Sequence, residues 1–253
     1  MADSTRDAYR TVIGMTGALL VVLSFLGRLP VAMIQFGSVL LVTETSGSLA
    51  TGGAVACALA LGQVSCGPFV GRLADRHGQR AVVLVCSLLN AVAIAAYTLG
   101  AVLGAATPAL IALGALAGAT IPSIGPLARA RVVPLVRARG GDDRLAGTVL
   151  SLESTMDELS FVLGPALVGL ASVAAHPAWA FAAAALLVAV CGTGFALHPT
   201  ARTAGAGPRA PRARGARPGL PGPVYVVRVG LVFLGVLLGA CGAGITALTE
   251  ELG

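Results

Sequence analysis

Apolar runs of about twenty residues, separated by short polar connections, set the pattern of this chain. Such a run lets a helix cross a roughly 30 Å hydrocarbon layer. Seven windows qualify: residues 16–42, 50–70, 81–103, 108–128, 146–173, 177–197 and 224–248. Within them the apolar positions are continuous rather than alternating, and Ala, Leu and Gly outnumber Tyr and Thr, which argues for helices and against barrel strands. The expected fold class is an all-α membrane protein. Pro122 and Pro126, flanking Gly125 in the fourth window, predict a kink or local unwinding near one end of that span.

Composition agrees with the pattern: 56% of residues are hydrophobic, 11% are charged, and the mean hydropathy is +0.88, too apolar for a water-soluble domain of 253 residues. The basic residues then orient the chain. There is no lysine, and all but one of the 17 arginines fall in the N-terminus or in every second connection. Arg6 and Arg10 precede the first span, and Arg72, Arg76 and Arg80 join the second to the third. Arg129, Arg131, Arg137, Arg139 and Arg144 join the fourth to the fifth, and six more lie before the seventh. Cytoplasmic connections hold such an excess, so a cytoplasmic N-terminus and a multi-pass protein of the cell membrane are expected. The net charge of +6 is topological, and no nucleic-acid partner is implied. A cleaved signal peptide does not fit residues 1–30, because Arg28 interrupts the run and no A-x-A site follows.

Cys57, Cys66, Cys86, Cys191 and Cys241 all lie in apolar spans without C-x-x-C spacing or nearby histidine. No metal site and no cofactor is expected. Ser-His-Asp, paired-acid and phosphate-loop arrangements are missing from the sequence, so an enzyme is not expected. Five G-x-x-x-G spacings, Gly114 to Gly118 among them, are about what 34 glycines place by chance and mark no dimerisation face. Residues 199–223, rich in Pro, Gly, Ala and Arg, read as a disordered basic cytoplasmic linker. The expected organisation is a cytoplasmic N-terminus over 1–15, a six-helix block over 16–198, the linker, and a further membrane helix within 224–253.

Between the second and third spans lies Gly71-Arg72-Leu73-Ala74-Asp75-Arg76-His77-Gly78-Gln79-Arg80, read as a compact charged turn bounded by glycines. The pattern G-x-L-A-D-R-x-G-x-R at this place resembles the signature loop of the major facilitator superfamily of secondary transporters. Asp75, Arg76 and Arg80 match it with Gly71 and Gly78, and Gln79 stands where a second basic residue is common. The resemblance implies a six-helix N-terminal half made of two inverted three-helix repeats, joined by a cytoplasmic connection to a second half that the seventh span would begin. It also implies that the loop latches the two halves together at the cytoplasmic face. Related turns at Gly67-Pro68 and Gly164-Pro165 fit such a repeat. The second is similar to the Gly-Pro helix-kink element of some exporters of this family, with Ser160 and Val168 in place of two glycines.

Charges within the spans are the best pointers to chemistry, since one at a helix centre costs about 2.5–3.5 kcal/mol on insertion scales. Arg28 lies in the first span, and Glu153, Asp157 and Glu158 in the fifth, at broadly similar depths. Glu153 and Asp157, four apart, share a helix face, whereas Glu158 points about 100° away. These four are the candidates for a substrate or proton pathway, a structural ion pair being the alternative. Gln35 and Asn90 are expected to bond neighbouring helices. The function implied is alternating-access transport of a small solute, proton-coupled efflux above all, with lipid bilayer, substrate and protons as partners. The chain would then need a missing C-terminal half or a second chain. The alternative is a non-transporting membrane module that associates with other chains.

Overall fold

The computed structural model describes residues 2–203 and 222–252, and every regular element among them is helical. The chain divides into two units, Met1–Gly207 and Pro208–Gly253. The first holds α1 (Ala2–Thr16), α2 (Ala18–Leu26), α3 (Leu29–Ser46), α4 (Leu49–His77), α5 (Gln79–Val102) and α6 (Thr107–Ala119). It continues with α7 (Ile124–Ala138), α8 (Asp143–Ala174), α9 (Ala178–Leu187), a π-helical turn over Val188–Gly192, α10 (Thr193–Leu197) and α11 (Thr200–Thr203). Six stretches are long and apolar enough to cross a membrane: Ala18–Ser46, Leu49–His77, Gln79–Val102, Thr107–Ala138, Asp143–Ala174 and Ala178–Leu197. In the second unit, α12 (Gly222–Leu252) is a 31-residue helix over the expected seventh window. The linker expected over 199–223 falls mostly outside the described residues.

The first span is made of two helices because Pro30, in the first turn of α3, has no N–H for the Leu26 carbonyl. The chain tightens there, with the Arg28 amide bonding the Phe25 carbonyl at 3.0 Å. The fourth span breaks between α6 and α7. Ile121, preceding Pro122, is pushed out of the helical region, and Ser123 takes a left-handed conformation with φ 49°. The sequence placed this irregularity near the end of the span, but α7 continues to Ala138, so it lies near the middle of a 32-residue stretch. Asn90 of α5 closes the gap: its amide donates to the Ala117 carbonyl at 2.7 Å and to Thr120 Oγ1 at 3.0 Å.

Small residues let the helices approach, as expected where lipid removes the hydrophobic drive between them. In α6, Gly114 and Gly118 face α4; a Cβ on Gly114 would meet Val55 Cγ1 at 2.8 Å, and one on Gly118 would overlap the Leu59 carbonyl. That spacing is therefore used within the bundle. Val168 of α8, where a resembling exporter has glycine, is buried against Gly37 of α3, so the bulk moved from one helix is accommodated by the other. Pro68 and Pro165 both lie inside unbroken helices. The two Gly-Pro pairs nevertheless differ in packing. A Cβ on Gly164 would meet Ala32 Cβ at 2.6 Å, while one on Gly67 would meet nothing within 4 Å.

One apolar core joins α3 to α6 and α9, with Tyr97 and Phe181 in ring contact at 5.8 Å. A second joins α1, α2, α4, α5, α7, α8 and α10 at the arginine-rich end, around Val12, Leu20, Val83 and Phe195. Here α1 buries Ala8, Val12 and Thr16, one stripe of a helix. The Arg139 guanidinium donates to the Met15 carbonyl, capping the end of α1.

Candidate functional site

The ten-residue charged run is not a turn. Gly71 to His77 complete the last two turns of α4, Gly78 alone makes the connection with φ 88°, and Gln79 and Arg80 begin α5. Gly78 thus does what a tight turn requires. Gly71 does not serve close packing, since a Cβ there meets nothing within 4 Å. Asp75 and Arg76 are exposed on the last turn of α4, and Arg72 lies 5.6 Å from the Phe69 ring centre.

Arg129, Arg131 and Arg137 are likewise not in a connection, as the sequence had them, but on α7, and Arg144 is on α8; of the five, Arg139 alone is in the link. Arg131 is buried. Its Nε donates to Gln79 Oε1 at 3.0 Å, its Nη1 to the Phe195 carbonyl at 2.8 Å, and its guanidinium stacks 3.9 Å from the Phe195 ring centre. It ties the start of α5 to the end of α10. His198, just beyond α10, is held below the ordinary histidine value first by burial and then by the Arg131 charge.

Three of the four charges expected within the spans do meet. Arg28, at the head of α3, is 5% exposed and reaches α8. Its Nη1 donates to the Glu153 carbonyl at 2.8 Å and to Asp157 Oδ1 at 3.0 Å; its Nη2 donates to Ser24 Oγ at 3.2 Å and to the Glu153 carboxylate. The second oxygen of Asp157 pairs with Arg129 of α7, a partner the sequence reading missed. Gly125 makes room for the junction, since a Cβ there would lie 3.1 Å from Asp157 Oδ1 and 3.7 Å from the Arg28 guanidinium. Ser160, the other exporter glycine replaced here, donates to the Asp157 carbonyl at 2.7 Å.

Two cations and two carboxylates balance to zero, which is what burial of charge demands. They differ in access. Glu153 is sealed: a crevice beneath it, lined by Val12, Thr16, Leu20, Ser24 and Val149, holds about 10 Å³, room for one water at most. The Asp157 and Arg129 side chains are 28% and 35% exposed, so the network opens on that edge. Asp157 is thus a carboxylate shared between two guanidinium groups on different helices, Arg28 at the head of α3 and Arg129 of α7. Glu158 is turned away, as its 100° offset predicts. It is exposed and has no ion pair among the described residues. Gly164 and Pro165 lie on α8 two turns beyond Asp157, where Gly164 lets α8 touch the α3 backbone at Ala32 and Met33.

Among the described residues no group of three or more His, Cys, Asp or Glu is placed to hold a metal ion. The family model described as Major Facilitator Superfamily matches residues 11–250. Neither a curated protein nor a solved structure matches.

Proposed function

Because the chain belongs to the major facilitator superfamily, we propose that it moves a small solute across the cell membrane by alternating access, as a secondary active transporter coupled to protons in the direction of efflux. The observation that carries this reading is the Arg28–Glu153–Asp157–Arg129 network, where the broken first span, the broken fourth span and α8 come together. Glu153 anchors Arg28 from the sealed side. Asp157 is the exchangeable member: protonated, it releases Arg129 and weakens the tie of α7 to α8; ionised, it draws them together.

The arginine-rich end is the cytoplasmic one, with the N-terminus inside and the Asp75, Arg76 and Arg80 motif latching against a second half. The seventh helix begins that half, and the pathway is completed by the rest of it or by a second chain. The test is reconstitution in liposomes with a pH-sensitive dye inside, challenged with a panel of cationic and neutral amphiphiles. Substrate-dependent proton flux should fall at least tenfold in Asp157→Asn. Flux unchanged in that variant would remove Asp157 from the coupling. Flux that arises only when a second six-helix half is supplied would place part of the pathway there.

A further inference from the structure

The exposed faces of the bundle are of two kinds. Every exposed residue of α5, namely Ala81, Val85, Leu88, Leu89, Val92, Ala95, Leu99 and Val102, is apolar, as a surface against hydrocarbon should be. In contrast, α8 exposes Ser151, Ser154, Thr155 and Glu158, spaced i, i+3, i+4 and i+7 on one side near the middle of its 32 residues. A lone carboxylate at that depth is costly against lipid. This side of α8 therefore faces something polar.

Charge says more about what that is. Arg28, Arg129, Glu153 and Asp157 cancel, so among the described residues Glu158 leaves this cluster with one uncompensated negative charge on its exposed side. Three residues further along the same side stands Phe161, in edge-to-face contact with Phe36 of α3, ring centres 6.2 Å apart and planes at 88°. The two rings are 46% and 51% exposed, unlike the buried Tyr97–Phe181 pair. A carboxylate beside open aromatic faces suits a cation with an apolar body, through charge pairing and cation–π attraction together.

We propose that Glu158, Phe161 and Phe36 form one wall of a binding site for an organic cation, whose charge lies on Glu158 and whose apolar groups lie against the two rings. This rests on the reading of the bundle as a transport pathway and names the class of solute it takes. The full chain in lipid nanodiscs is titrated with radiolabelled tetraphenylphosphonium, with empty nanodiscs subtracted and triphenylphosphine oxide, an uncharged aromatic analogue, as competitor. Saturable binding is expected, weakened at least tenfold by Glu158→Gln and about threefold by Phe161→Leu, and not displaced by an equal concentration of triphenylphosphine oxide. Glu158 is exposed and has no ion pair among the described residues, so the melting temperature of Glu158→Gln should equal that of the wild type.

No saturable binding, binding indifferent to Glu158→Gln, or equal displacement by the uncharged analogue would overturn the site. Proton flux lost in Asp157→Asn, alongside binding that ignores Glu158, would keep the transport reading and reject this one. Binding that needs Glu158 in a chain without proton flux would do the reverse.

Discussion

Arg28 and Arg131 are both buried, yet they are held in opposite ways. Arg28 sits at mid-depth between two carboxylates, one sealed and one on an open edge. Arg131 lies about 10 Å from the end of α7, and its polar partners are an amide oxygen and a carbonyl, with an aromatic ring beneath it. Neutral partners cannot exchange a proton at ordinary pH, so Arg131 fastens helix ends, and its charge is felt beyond them at His198. Charged partners instead tie Arg28, at the head of α3, to α8 by ion pairs, one of them shared with Arg129 of α7. A buried arginine is therefore held by neutral dipoles or by opposed charge according to what faces it.

The comparison breaks most sharply if Arg28 is removed. Arg28→Met leaves the Glu153 carboxylate buried without its cation, and a loss of about 3–5 kcal/mol is expected, read as a fall in the midpoint of detergent-solubilised thermal unfolding. Adding Glu153→Gln should recover part of it, because the stranded charge goes too. Arg131→Met should cost less, about 1–3 kcal/mol, since it removes two hydrogen bonds and a ring contact but strands no carboxylate. Arg131→Lys should not restore the wild-type midpoint, because an ammonium cannot reproduce the planar fork between Gln79 and Phe195.

The smallest effect concerns pH. The folded protein holds His198 below its unfolded value of about 6.5, so its contribution to stability is complete above that pH and is lost as pH falls through 6.5 toward the folded value, where the unfolded chain takes up the proton first. Melting between pH 7 and pH 5 should thus drop slightly more for the wild type than for His198→Gln. In the Arg131→Met background the difference should shrink, because one of the two causes has gone.

Much of this was legible in the chain. Six spans follow from run length, and Arg28 and the acids of α8 stand out because an apolar run tolerates a charge only where a partner or water meets it. Arg129 and Arg131 were hidden for a physical reason. A hydropathy window measures fitness for lipid, whereas α7 keeps its helix with Arg131 buried in protein and Arg129 paired to α8, so the average falls while the helix goes on. The charged run between α4 and α5 misled in the same way, since polar residues at a helix end look like a loop although only Gly78 leaves helical geometry. The pairing of Gly114 and Gly118 with α4 was beyond reach because their spacing alone does not distinguish use from chance.

That single connecting residue leaves no slack. A chain advances at most about 3.6 Å per residue, so the last turn of α4 and the first of α5 cannot draw apart or slide past one another without unwinding. The two helix ends are thus held within one residue of each other, so a displacement of one at that end carries the other with it, as with two rods on a common pin.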